Sequence, residues 1–275
     1  MKPLWVVQTN LGLQSDVDAL IEAAFKLTGT VRTKKVVPFL NKLPEIPTNG
    51  PVIFYGSAGW TTAIAASKRW RPGVWYDPST MCVSHYRACL GDWYINHDAQ
   101  IMPLREVPNY VLNHDYKNYI FIRPDADDKS FAGEVMSYND ITIWIENLLS
   151  IGYTTPNVDT LVAIAPNKAI IQEWRCFIAE GKYIAGSRYR VNGRLSVEHH
   201  VPIEVQRFAE AAYAKCGGLP AMVAIDIGLE DEIDEPCYRV IEAGCMNACG
   251  FYASDIPIIV EHATRIAEAQ WVLTS

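Results

Sequence analysis

Two short runs decide how this chain is read: AMVAIDIGL (residues 221–229) and YRVIEAGCMNACGFY (residues 238–252), joined through the acidic, turn-prone LEDEIDEPC (229–237). Both runs are apolar and rich in β-branched residues, and such a pair across a polar connector reads as a hairpin. Register decides what the hairpin carries. If opposing residues sum to an even number, Asp226 and Glu242 share one face as diagonal neighbours, roughly 7–8 Å apart at the backbone. An odd register sends them to opposite faces. A solvated acidic face accounts for Asp231, Glu232, Asp234 and Glu235. It accounts poorly for Asp226 and Glu242, which interrupt apolar strands where an unpaired carboxylate is costly. With the amide of Asn247 they form an all-oxygen set. Mg²⁺ prefers that hardness, keeps several waters and borrows further ligands from substrate phosphates.

Upstream, AIIQEWRCFIAEGKYIAGSRYRVNG (169–193) alternates strand and turn, with turns at Glu180-Gly181 and Asn192-Gly193, and reads as a β-meander. Gln172 and Glu173 stand at its entrance and Arg175, Arg188 and Arg190 punctuate it. Arg188 and Arg190 share a parity, hence one face of their strand. An arginine row suits a polyphosphate or carboxylate substrate, and it suits a solvated edge equally. Further back, YIFIRPDADDKSFAGEVM (119–136) opens as a buried strand and breaks at Arg123-Pro124. An arginine closing an apolar strand is expensive to hide and useful against an anion, because its fork matches phosphate oxygens. The loop that follows carries Lys129, then Ala132 and Gly133, small residues suited to close backbone approach or a hinged flap. A surface hairpin with a capped arginine is the plainer reading of this stretch.

The first ~95 residues read as an α/β unit. Leu4–Gln8 and Val31–Pro38 are strands, and Ser15–Leu27 is an amphipathic helix capped by Ser15 or Asp16. PVIFYGSAGWTTAIAASKRW (51–70) passes from strand through Gly56-Ser57 into a helix. Such a turn points N–H groups at one spot and suits an anion, although it matches neither phosphate-loop nor dinucleotide fingerprints and most such turns are only turns. Residues 71–107, rich in aromatics, connect this unit to the rest, and Trp60, Trp70, Trp75 and Trp93 permit an oligomer interface. Helices are expected at Ser137–Leu149, Val201–Lys215 and Ile256–Trp271, and strands at Asn157–Ile164 and Lys168–Trp174.

The composition, 275 residues with 49% apolar and 20% charged, is that of a globular chain with a real core. A net charge of −7 gives no basis for a large nucleic-acid footprint. No apolar run approaches a membrane span, and the N-terminus lacks a signal pattern. The seven cysteines are scattered without CxxC, and read as free thiols of a cytoplasmic protein. Cys245 and Cys249 read as small packing residues. His85, His97 and His114 each stand apart from a second ligand at metal spacing and read as ordinary histidines.

In order, these parts resemble the ATP-grasp superfamily: a strand ending Arg-Pro, a flexible loop, a Gln-Glu hinge, an arginine-studded meander, and Asp and Glu…Asn on a last hairpin. Within it, the chain is similar to a branch of bacteria and viruses that carries Arg where other members have the lysine of a Val-Lys-Pro strand. The resemblance covers the C-terminal ~180 residues. It implies an α/β protein with α+β lobes, an ATP-grasp fold preceded by a small α/β pre-grasp domain. The boundaries expected are 1–95 for the first domain and 96–275 for the second, with lobes at 96–170 and 171–275. It further implies that Arg123 takes the phosphate lysine's place and that Lys129, Ala132 and Gly133 lie in the loop covering the phosphates. By the same resemblance Gln172 and Glu173 meet adenine and ribose, with Arg190 nearby. Asp226, Glu242 and Asn247 hold Mg²⁺, and Arg123, Arg175 and Arg188 serve catalysis. Many members place an asparagine two positions after the glutamate. Here that position is Gly244, so Asn247 is expected to supply the amide. A second lysine ahead of the Val-Lys-Pro strand has Lys117 as its nearby candidate.

The activity implied is an ATP- and Mg²⁺-dependent ligase joining a small-molecule or peptide carboxylate to an amine, or a thiol, through an acyl phosphate. A non-catalytic ATP-binding protein and a small-molecule kinase using the same site are the other readings.

Overall fold

The computed structural model describes residues 1–273 apart from 13, 38, 39, 41, 115–118, 152–155 and 232–236. Lys117 and most of the acidic connector lie outside the described residues.

The chain begins with β1 (Leu4–Gln8), α1 (Gln14–Thr28), β2 (Val31–Lys34), β3 (Val52–Tyr55), α2 (Ala58–Ser67) and β4 (Pro72–Gly73). These strands form a parallel sheet in the order β2-β1-β3-β4. All of β3 and most of β1 are buried, as expected of parallel strands covered on both faces. Expected as far as Pro38, β2 stops at Lys34 because it is an edge strand whose Arg32, Thr33 and Lys34 are exposed.

After α3 (Val83–Leu90) come β5 (Gln100–Pro103), α4 (Val107–Leu112), β6 (Tyr119–Pro124), β7 (Glu134–Ser137), α5 (Ile141–Ser150) and β8 (Leu161–Pro166). The strands pair antiparallel in the order β5-β8-β6-β7. Ile120 and Ile122 pack with Val162, Ile164 and the apolar stripe Ile141, Ile145, Leu148 of α5. Alternation along β6 sends Phe121 and Arg123 to the opposite face.

The largest sheet runs β11-β10-β9-β12-β13, built from β9 (Ile170–Ala179), β10 (Lys182–Val191), β11 (Arg194–Glu198), β12 (Met222–Glu230) and β13 (Cys237–Gly244). It is antiparallel throughout. Helix α6 (Ile203–Cys216) lays Val205, Ala209 and Ala212 against Cys176, Ile178, Val223 and Ile225. The alternate residues Phe177, Ala179, Met222 and Ala224 meet Ile259, Val260 and Ala263 of α7 (Ile256–Val272) in a cluster that also holds Trp5, Val7 and Leu20. The last helix is thus a shared wedge between the first sheet and the largest one. Being covered on both faces explains why β9 and β12 read as nearly unbroken apolar runs.

Trp60, Trp70 and Trp75 are at most 4% exposed and belong to the core, and the half-buried Trp93 stacks on Phe208. Two expectations are corrected. The cysteines are not all free thiols: packing of α3 on α6 brings Cys89 and Cys216 to a Cα separation of 4.9 Å, where they form a disulfide, while the other five are free. Their sequence separation of 127 hides this from any local reading. His85 is not isolated either, since its ring lies beside those two sulfurs. Among the described residues no helix is long and apolar enough to cross a membrane.

Candidate active site

The hairpin register at the functional end is the even one: Ala224 opposes Gly244, Ile225 opposes Ala243, and Asp226 opposes Glu242 directly. The two carboxylates are therefore cross-strand partners, closer than the diagonal neighbours expected. A bulge immediately beyond them shifts the register, so that Ile227 faces Val240 and Ile241 is the extra residue. On its other side Asp226 opposes Arg175 of β9.

Each carboxylate has its own guanidinium. Arg175 grips Asp226 with two parallel bonds, Nε to Oδ1 at 2.8 Å and Nη2 to Oδ2 at 2.7 Å, and its Nη1 donates to the Gly250 carbonyl at 3.0 Å. Arg123 Nη1 donates to Glu242 Oε2 at 2.9 Å. Burial alone would raise the Glu242 carboxyl, but Arg123, then Arg175 and Lys129, overcome it and hold the group below its ordinary range. A third carboxylate enters from the loop after β6. Asp127 is buried, accepts the Cys245 N–H at 3.2 Å, and is pushed up to about 6 by burial and then by the charge of Glu242. A Cβ on Gly244 would lie 3.7 Å from Asp127 Oδ2. Position 244 thus lies in van der Waals reach of this carboxylate.

These groups line one cleft of about 460 Å³, with Arg123, Lys129 and Gly133 on one wall and Glu173, Arg190 and Tyr252 on the other. It adjoins a second space of about 420 Å³ that includes Asn96, Lys168 and Ile170. The volumes suit a cofactor-sized ligand. Gly133 passes close to the Phe121 ring: a Cβ there would stand 3.0 Å from it, and the ring would have to shift by a few tenths of an ångström. A narrow inner end reaches Thr61, Thr62 and Tyr76, where α2 faces Asp127 and Glu242.

Not every expected residue comes here. Arg188 turns to β11, pairing with Glu198 at 2.7 Å and Ser196 Oγ at 3.3 Å, and is not among the residues lining the cleft. A bulge between Arg188 and Arg190 breaks the shared parity. Arg190 does face the cleft, where it bonds Glu173 at 3.2 Å, and Glu173 also accepts from the Tyr189 hydroxyl at 2.6 Å. Gln172 pairs through its backbone with Val191 and Leu229 and lines neither space. Asn247 is fully buried away from the carboxylates: its Oδ1 accepts the Trp75 N–H at 2.8 Å and its Nδ2 donates to the Phe54 carbonyl at 2.6 Å. The backbone N–H groups of Gly56 and Ser57 are turned inward, because Gly56 N donates to Asn247 O and Ser57 N to Gln8 Oε1, while Ala58 at the start of α2 reaches the inner end of the cleft. Asp127, Tyr189 and Tyr252 are absent from the reading of the sequence. Asp127 sits between two other acidic residues of an ordinary-looking loop, and nothing local singles it out. The tyrosines stack on each other at 4.8 Å and flank Arg175, a relation only the folded sheet creates.

A cleft floored by paired carboxylates and walled by arginines and a lysine marks an α/β protein built to hold a polyanionic, nucleotide-sized ligand. The family description "ATP-grasp domain, R2K clade family 2" matches residues 95–259, and the chain belongs to that family, among the ATP-dependent ligases of the ATP-grasp superfamily. Solved structures share the fold. A D-cycloserine synthetase, DcsG, superposes with a TM-score of 0.66 at 13% identity, covering 96% of this chain and 99% of that one. A D-alanine–D-alanine ligase from Bacillus anthracis gives 0.59 at 13%, covering 98% and 99%. The ATP-grasp ligase PsnB with its minimal precursor gives 0.58 at 14%, covering 97% and 99%. Comparison with curated proteins gives no match.

Proposed function

We propose that the chain joins a carboxylate to an amine at the expense of ATP, through an acyl phosphate, with Mg²⁺ in the cleft. The direct pairing of Asp226 with Glu242, beside Asp127 and beneath Arg123, carries this reading. The donor set fits the ion. Three carboxylates converge on one cavity, and Asp127 is held above its ordinary value by burial first and then by the charge of Glu242, a concentration of negative charge that a divalent cation would neutralise. Asp226 and Glu242 would hold the ion, with Asp127 supplying the oxygen expected of Asn247, whose amide is committed elsewhere. When bound, Mg²⁺ neutralises charge on the β- and γ-phosphates.

Arg123 and Lys129 bear on the transferring phosphoryl group, and Gly133 lets the loop approach it closely. Glu173, Arg190 and the adjoining space take the nucleoside end. Arg188 has no part in this, because its guanidinium is tied to β11. The acceptor carboxylate meets the γ-phosphate in the cleft, beside Asp127 and Glu242. Its oxygen bonds to phosphorus as ADP leaves. The amine then attacks the acyl carbon, loses a proton and releases phosphate. Closure of the loop excludes water from that intermediate. Relatives of the same fold include a D-cycloserine synthetase, a D-alanine–D-alanine ligase and a ligase solved with a precursor. By analogy the acid and amine are small molecules or peptides.

The test is Mg²⁺-dependent ADP release that requires an added carboxylic acid, with hydroxylamine trapping the acyl phosphate. ATP binding with no acid-stimulated turnover across a broad panel would refute the ligase. ADP formation with no hydroxamate would assign a kinase to the same groups.

A further inference from the structure

Among the described residues, the mechanism leaves one cluster of metal-ligating side chains unused. His85 and Cys89 lie four residues apart on α3 and so project from one face of the helix, one turn apart. Cys216 closes α6, and the chain turns away at once through Gly217 and Gly218, both at positive φ (52° and 75°). One ligand atom from each of the three lies within 4.8 Å of the others. The His85 ring is steered toward Cys216, since its Nε2 donates to the Cys216 carbonyl at 3.1 Å. That bond fixes the tautomer and leaves Nδ1 with its lone pair, the relation by which a backbone carbonyl orients a ligating imidazole. The surroundings are apolar on one side: Tyr86, Leu90, Ala212 and Leu219 belong to the same buried cluster as Cys216. His85 and Cys89 are only partly buried, so the cluster is open to solvent on the other.

We propose that in the reduced chain His85, Cys89 and Cys216 bind one soft divalent cation of the zinc type. Two sulfurs and an imidazole are the donors such a cation selects over Mg²⁺. Three protein ligands leave a fourth position for water, the arrangement of an open rather than a closed site. In the state described here Cys89 and Cys216 form a disulfide. A dithiol reductant supplies two electrons and two protons to that bond, giving two thiols and an oxidised dithiol. Binding of the cation then releases the two protons as the thiols become thiolates. The junction of α3 with α6 thus has two pinned forms, one covalent and one through the metal. The site is separate from the nucleotide cleft and does not depend on the ligase reading.

Co²⁺ is the probe, because thiolate ligation gives it a charge-transfer absorption that oxygen ligands do not. Full-length protein is reduced, freed of reductant without air and titrated. The expected result is one Co²⁺ per chain with the thiolate band, bleached by an equivalent of Zn²⁺. His85→Ala weakens binding at least about tenfold, as loss of a ligand should, and Cys89→Ser weakens both binding and the band, since only the Cys216 thiolate remains, while thermal melts show both variants folded. A measurement on the unmutated chain stands beside these. Zn²⁺ protects Cys89 and Cys216 from alkylation and leaves the five other thiols as reactive as before. No band in the reduced wild type, or a band and alkylation pattern indifferent to His85 and Cys89, overturns the proposal.

Discussion

Asp127 shows how a single buried group links stability to the chemistry of the cleft. Its carboxyl titrates near 6, against an ordinary 3.8, through burial first and the Glu242 charge second. A raised value in the folded chain means that folding favours the protonated form. The stability this gives is complete below 3.8 and is lost as the pH rises through about 6. Asp127→Asn does not ionise and escapes the loss. Between about pH 4 and pH 7, urea unfolding should show the wild type falling relative to the variant by on the order of 2–3 kcal/mol. Mg²⁺ with ADP should shrink that difference, because a bound cation favours the ionised carboxylate. A gap that does not change with pH would show that the Asp127 carboxyl is not held in its acid form. The same residue has a sharper test in Asp127→Ala, which should lower Mn²⁺ affinity in the presence of ADP. Adding Gly244→Asn should restore much of it, since an asparagine there reaches the space that Asp127 Oδ2 now fills. Unchanged Mn²⁺ binding in Asp127→Ala would remove the residue from the site. Glu242→Gln should abolish ADP formation while melting within a few degrees of wild type, because the amide still accepts from Arg123. Near-normal turnover in that variant would sink the proposed role of Glu242.

At the scale of elements, period and punctuation carried most of the reading. The strand ending at Arg123-Pro124, the turns of the β9–β10 meander and the helices α6 and α7 are local, and each was legible in the chain. Two bulges were not. The one after Asp226 leaves the carboxylates in register, so the argument that they share a face survives in stronger form. The one between Arg188 and Arg190 reverses an inference of the same kind, because parity along a strand holds only while every residue is paired. This separates two arginines that the sequence treats alike. Arg188→Ala should leave nucleotide affinity unchanged and cost about 1 kcal/mol or less, since its Glu198 partner is half exposed. Arg123→Ala should weaken ATP binding and acid-dependent turnover together, and it leaves Glu242 without its guanidinium. Equal effects of the two substitutions on ATP affinity would return Arg188 to the cleft.

Across the whole molecule, the feature least visible in the sequence is how the first sheet is fastened to the site. Asn247 looks like a metal ligand in a linear reading, being an amide five residues after Glu242 in a loop rich in small residues. Folding sends it the other way. Its side chain bridges Phe54 at the end of β3 and Trp75 beyond β4, and its own carbonyl receives the Gly56 N–H at 2.9 Å. Close by, Tyr55 donates to the Cys249 carbonyl at 2.8 Å and stacks on Phe251. The loop that ends the carboxylate strand is therefore also the socket for the first sheet, and helix α7 clamps the two from outside. Such long-range partners have no periodic signature, which is why the spacing alone pointed Asn247 toward the metal. Asn247→Ala should strand a buried N–H and a buried C=O, each worth roughly 1–3 kcal/mol when left unpaired. The expected outcome is a loss on the order of 2–4 kcal/mol in urea unfolding, with Mn²⁺ affinity in the surviving folded fraction nearly unchanged. If instead the variant unfolds like wild type and loses the metal, Asn247 is a ligand and Asp127 is not its replacement.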